Sequence, residues 1–140
     1  MRITALPLAA TAMAALPLLS ACTSVEDDTE IAPTAFDPPV RIVGEGQNCI
    51  PRSQIRQTRV RNDQVIDFEM RGGDVYRNVL ASSCPRLGFE EAFTYNTTIN
   101  QLCSVEIIYV LEQIGGQVRR GAGCSLGEFV PVKYVEEEDD

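Results

Sequence analysis

The sequence predicts a mostly β domain, a small antiparallel meander curled into a barrel or a tight sandwich and stapled by two disulfides. Three observations carry that prediction. Short runs with two-residue alternation of apolar and polar side chains recur between residues 56 and 132, separated by glycine turns. No segment offers the apolar spacing of a long amphipathic helix. Four cysteines lie in the body of the chain, at 49, 84, 103 and 124, an even number suited to pairing in an oxidising compartment.

The chain of 140 residues opens on a stretch unlike the rest. Met1 to Ala21 has a single charge, Arg2, then an Ala- and Leu-rich run, and it ends in Leu19-Ser20-Ala21-Cys22. A basic start, an apolar middle and small residues before a cut predict a secretory signal over residues 1–21 that is removed from the mature protein. The last four residues resemble the lipobox of bacterial lipoprotein precursors. That resemblance implies cleavage before Cys22 and acylation of its thiol, and two or more chains on one residue make a stable anchor. Thr23, where an aspartate would favour the inner membrane, implies an outer-membrane protein facing the periplasm. The competing readings are an ordinary secretory signal and a retained membrane helix. Pro7 and Pro17 argue against the helix, and a cysteine after Ser-Ala would be a coincidence under either.

Residues 22–44 read as a lipid-anchored flexible tether. Pro33, Pro38 and Pro39 and the acids Glu26, Asp27, Asp28 and Glu30 interrupt any apolar periodicity, and about 20 flexible residues span about 25 Å. Residues 45–135 form the predicted β domain, and 136–140, all Glu and Asp, a solvated acidic tail. The formal net charge of -8 is concentrated in the tether and tail, and the domain between them is almost neutral. No basic surface of the kind that binds phosphates is expected, so nucleic acid is not an expected partner.

Within the domain, Pro51–Ile55 reads as one helical turn and Arg56–Val60 as a strand. Val65–Met70 alternates, with Ile66, Phe68 and Met70 on an apolar face and Asp67 and Glu69 on a solvated one. Arg71-Gly72-Gly73-Asp74 then predicts a hairpin into a strand at Val75–Leu80, because tight turns need positive φ. A two-residue turn would place Arg77 opposite Phe68. One extra loop residue brings Tyr76 and Leu80 to the apolar face, and on that register Arg77 is expected opposite Glu69, which avoids burying an unpaired charge. Further strands are expected at Phe93–Thr97, Val105–Glu112, Gln117–Arg120 and Glu128–Val132, with Gly115-Gly116 as a turn and a second helical turn at Asn100–Cys103.

Cys49, Cys84, Cys103 and Cys124 allow three pairings. A nested arrangement, Cys84 with Cys103 inside Cys49 with Cys124, is preferred, each bond contributing roughly 3 to 4.5 kcal/mol in the chain-entropy model. A four-cysteine zinc site is disfavoured, because such sites bring ligands in close pairs, and no cofactor is expected. The chain has no histidine and no tryptophan, which removes Ser-His-Asp and Cys-His catalysis and histidine metal sites. Paired carboxylates are the catalytic option that survives, Asp67 with Glu69 or Glu90 with Glu91, and they would suit a cell-wall sugar hydrolase. Arg52, Arg56, Arg59 and Arg61 form a local basic cluster, read as charge protecting an edge strand or as a contact for lipid headgroups or an acidic partner. Tyr76, Tyr95 and Tyr109 read as core or cross-strand residues.

The order of Cys49-Ile50, Asp67-Phe68, Gly72-Gly73, Tyr76-Arg77-Asn78-x-Leu80, Cys84-Pro85-x-Leu87, Phe93-x-Tyr95, Leu102-Cys103 and Cys124-x-Leu126-Gly127 resembles a family of small exported bacterial proteins, domain of unknown function 6491. The resemblance spans about Gln47 to Pro131 and implies a shared disulfide-stapled fold and no assigned activity. The acidic tail has no counterpart in that pattern. The functional expectation is a membrane-anchored envelope lipoprotein that binds or supports an envelope protein partner without catalysis, with the carboxylate-pair hydrolase as the alternative.

Overall fold

The computed structural model describes residues 38–135, so the signal segment, most of the tether and the acidic tail lie outside the described residues. Ten strands are described, with one four-residue helix. They are β1 (Val40–Ile42), β2 (Cys49–Pro51), β3 (Ile55–Val60), β4 (Val65–Met70), β5 (Val75–Val79), α1 (Leu87–Glu90), β6 (Phe93–Tyr95), β7 (Gln101–Cys103), β8 (Ile107–Ile114), β9 (Gln117–Ser125) and β10 (Phe129–Tyr134). One 3-10 turn at Arg52–Gln54 lies within the predicted helical turn. The second expected helical turn, Asn100–Cys103, is instead occupied by β7, because Cys49, Ile50 and Pro51 of β2 pair with Cys103, Leu102 and Gln101.

The strands form three antiparallel sheets. Five follow the order β1-β10-β5-β4-β3, three the order β6-β8-β9, and β2 pairs with β7. Only β3-β4-β5 is the expected meander, since the last strand returns beside β5. The sheets do not close into a barrel. The first strand lies within the segment read as tether: Val40, Arg41 and Ile42 pair with Tyr134, Lys133 and Val132. Polar, proline-rich flanks hid it, because three residues are too few to show alternation.

A single apolar layer joins the sheets. Ile66, Phe68 and Met70 of β4, Ile108 and Val110 of β8, Ile50, Leu102, Leu87 and Phe129 belong to one buried cluster. Phe68 meets Phe129 and Phe93 edge-on, at ring-centroid distances of 5.4 and 6.4 Å, so the five- and three-stranded sheets share one core as in a sandwich. The β4–β5 loop is Arg71-Gly72-Gly73, closed by the Met70 N–H to Asp74 carbonyl bond at 2.8 Å, with Gly73 at φ +93°. Tyr76 therefore faces Phe68, as expected of a three-residue loop, but Arg77 faces Asp67 and not Glu69.

All four domain cysteines are bonded, with a different pairing from the nested one: Cys49 joins Cys103 and Cys84 joins Cys124. The register dictates the first, because Cys49 and Cys103 are direct partners across β2 and β7. The second crosses the core from the loop before α1 to the inward face of β9, where Cys124 pairs with Ile108. The two loops interlace in sequence. Cys22, the expected lipid attachment residue, lies outside the described residues.

Candidate functional site: two carboxylates ringed by guanidiniums

Sheet periodicity sends Asp67 and Glu69 to the face of β4 opposite the apolar core, and that face is not solvated as the alternation suggested. Every residue of β4 is buried. Asp67 and Arg77 are both fully buried. The Arg77 fork donates from Nε to Oδ1 of Asp67 at 2.7 Å and from Nη2 to Oδ2 at 2.9 Å, a bidentate pair. Arg77 Nη2 also donates to the Pro38 carbonyl at 3.2 Å. Oδ2 of Asp67 accepts from Arg61 Nε at 2.9 Å and from the Tyr134 hydroxyl at 3.2 Å. Arg61 Nη2 donates to the same hydroxyl at 3.0 Å.

Glu69 is held from the edge strand. A register shift between Ile55 and Gln57 makes Arg56 an extra residue in β3, and such a bulge turns consecutive side chains toward one point. Arg56 Nη2 donates to Oε2 at 2.7 Å. Gln57 donates to the same oxygen and Arg59 to Oε1. Burial raises the proton affinity of the Glu69 carboxyl, but the bonds from Gln57, Arg59 and Arg56 outweigh it and hold its pKa below the ordinary range. Burial also pushes the Tyr134 phenol up.

Three of the four clustered arginines, Arg56, Arg59 and Arg61, thus bind the strand's own neighbours. Arg52 is in the 3-10 turn, where its backbone N–H donates to Asn100 O at 3.1 Å. The other acid pair does not converge. Glu90 is bonded by Arg86 and accepts the Gln113 N–H at 3.3 Å, whereas Glu91 ends α1 in the left-handed region at φ 51°. Tyr76 and Tyr95 pack against the core, as read from the sequence, and Tyr109 lies on the outer face of β8 with the Arg120 guanidinium 4.6 Å from its ring centroid. Gln57, Arg77 and Tyr134 were not foreseen in these roles. The loop count after Met70 was the signal for Arg77, since three loop residues put residue 77 opposite 67.

A second feature lies at the other sheet. The strand β6 pairs only with Ile108–Val110, and residues 111–114 and 117–120 run on as a two-stranded ribbon. Gly115 and Gly116 turn it, at φ +59° and +78°, the signature of a type I′ hairpin. Ile114 and Val118 flank the turn and are 48 % and 60 % exposed. Among the described residues no strand pairs with the outer edge of β9. No family model, curated protein or solved structure matches this chain.

Proposed function

We propose that the protein is a lipid-anchored envelope protein, held at the outer membrane through Cys22, whose β domain works without catalysis by offering the β8–β9 ribbon to an extended, acidic segment of an envelope protein partner. The observation that carries the reading is the ribbon itself. An unpaired strand edge is a template for another strand. The other long edge, β3, is guarded by a bulge and by Arg56 and Arg59, whereas β1 is only three residues long. The exposed edge strand of the ribbon, Gln117 to Gly123, has Arg119 and Arg120 and no acid, Glu112 lying on the inner strand opposite Arg119, so an acidic partner is favoured at that edge. Against the hydrolase alternative stands Glu69, whose lowered proton affinity is the opposite of what a general acid needs.

Ile114 and Gln117 close the turn, so in the alternating antiparallel ladder the Val118 N–H points away from β8. Val118→Pro therefore keeps the hairpin while removing an outward donor. A ten-residue peptide of alternating Val and Glu is expected to shift the amide resonances of Val118 and Arg120, and a Val-Lys peptide to leave them in place. In V118P the Val-Glu peptide is expected to lose its effect. Equal response to both peptides, or none, would overturn the reading of the ribbon. Mass spectrometry of the membrane-extracted protein tests the anchor, which requires cleavage before Cys22 and an acyl mass on it.

A further inference from the structure

The two disulfides sit in unlike surroundings. Cys84 and Cys124 are buried, at 0 % and 8 % exposure, and both belong to the central apolar cluster. Cys49 and Cys103 are only partly buried and belong to the separate two-stranded sheet, where they are direct cross-strand partners. Breaking the buried bond would leave two thiols in the core with no approach for a reagent short of opening the sheets. Breaking the other leaves both cysteines side by side on strands whose pairing continues through Ile50 with Leu102 and Pro51 with Gln101. The Ser104 N–H to Asn48 carbonyl bond, at 2.7 Å, adds a further tie next to the bridge.

We infer that Cys49–Cys103 is a thiol–disulfide exchange site, reduced by an external dithiol and re-formed by exchange with an oxidised dithiol, while Cys84–Cys124 stays closed. In the step, a thiolate of the dithiol attacks one of the two sulfurs, a mixed disulfide forms and the other cysteine leaves as a thiolate that takes a proton. The second thiol of the dithiol then attacks its own sulfur in the mixed disulfide. The second cysteine is released as a thiol, and the dithiol departs oxidised. The protein gains two electrons and two protons, and the dithiol loses the same. Access sets the rate of such exchange, and access is what distinguishes the two bonds. Because strand pairing holds the released thiols near one another, exchange with an oxidised dithiol, which takes up the two electrons and two protons, closes the same bond.

The test uses the full chain under native conditions with dithiothreitol as the dithiol. Samples are quenched by alkylation at intervals, and each cysteine is mapped by peptide mass spectrometry. Cys49 and Cys103 are expected to be labelled together, at least about tenfold faster than Cys84 and Cys124, with the near-ultraviolet circular dichroism of the aromatic core retained at the two-thiol stage. Removal of reductant in air should restore the Cys49–Cys103 peptide. Labelling of Cys84 and Cys124 first, simultaneous labelling of all four, or collapse of the aromatic signal at the two-thiol stage would each overturn the inference.

Discussion

Arg77 and Arg56 both bind a carboxylate on β4, yet they differ in what removing them or their partner would do. The Asp67–Arg77 pair is fully buried on both sides, so loss of one partner strands a charge away from water. Asp67→Asn is expected to cost about 3–5 kcal/mol, measured by urea denaturation. The Arg56 side chain is 62 % exposed, and Arg56→Ala is expected to change stability by less than about 1 kcal/mol. Glu69 sets a pH dependence. Its folded pKa lies below the ordinary 4.5, so its contribution is complete above that value and drains away as the pH falls through the lower folded one. A plot of melting temperature against pH should fall below about pH 4.5 in the native protein, and the Glu69→Gln variant should lose that component of the slope. The alternation of Val65–Met70 made the two faces of β4 legible. It could not show that the second face would be buried, because burial there depends on Arg61, Arg77 and Tyr134 arriving from other elements.

At the scale of the element, the strands with two-residue alternation and the glycine turns were readable, and so was the three-residue β6 within the strand expected at Phe93–Thr97, whereas the other short strands were not. Strands β1, β2 and β7 have three residues each and exist through their partners. The β9–β10 connection shows how a loop is fixed by tertiary contact. Asn78, fully buried on β5, accepts from the Gly127 N–H at 2.8 Å and donates to the Gly127 carbonyl at 2.7 Å, a side chain standing in for a strand. A Cβ built on Gly127 would lie 2.1 Å from the Val79 carbonyl oxygen, so only glycine fits beside that backbone. Gly127→Ala is expected to destabilise by about 1–3 kcal/mol, and Asn78→Ala by a similar amount, through the unsatisfied groups left behind. Chemical denaturation followed by circular dichroism checks both. The motif is written in the sequence as Gly127 and Asn78, but nothing local links them across 49 positions.

For the whole molecule, the cysteine count announced two covalent ties, while their pairing depended on which strands became neighbours. Sequence separations of 54 and 40 give about 4 kcal/mol for each bond in the chain-entropy model. The double variant Cys84→Ala/Cys124→Ala is expected to lose at least that much, since it also opens a cavity in the core. Cys49→Ala/Cys103→Ala should lose the entropic part with little packing penalty. The difference between the two variants in urea midpoint separates packing from cross-linking. The mostly β class was visible from alternation and turns. The sandwich was not, because the layer joining Phe68, Phe93 and Phe129 is built from three segments far apart in the chain.

The pairing of β1 with β10 also has a mechanical consequence. Any tension reaching the domain from its N-terminal side meets the Arg77 bond to the Pro38 carbonyl and the Val135 bond to the Pro39 carbonyl, and then Val40–Ile42, a strand of three residues at the margin of its sheet. Those few hydrogen bonds, and the bridge of Gln47 to Phe129, yield before the core does. The yielding then stops at Cys49 for as long as its bond to Cys103 is closed. The released stretch, Val40 to Asn48, extends about 30 Å and acts as a shock absorber, so that a pull from that side lengthens the chain without unravelling the fold.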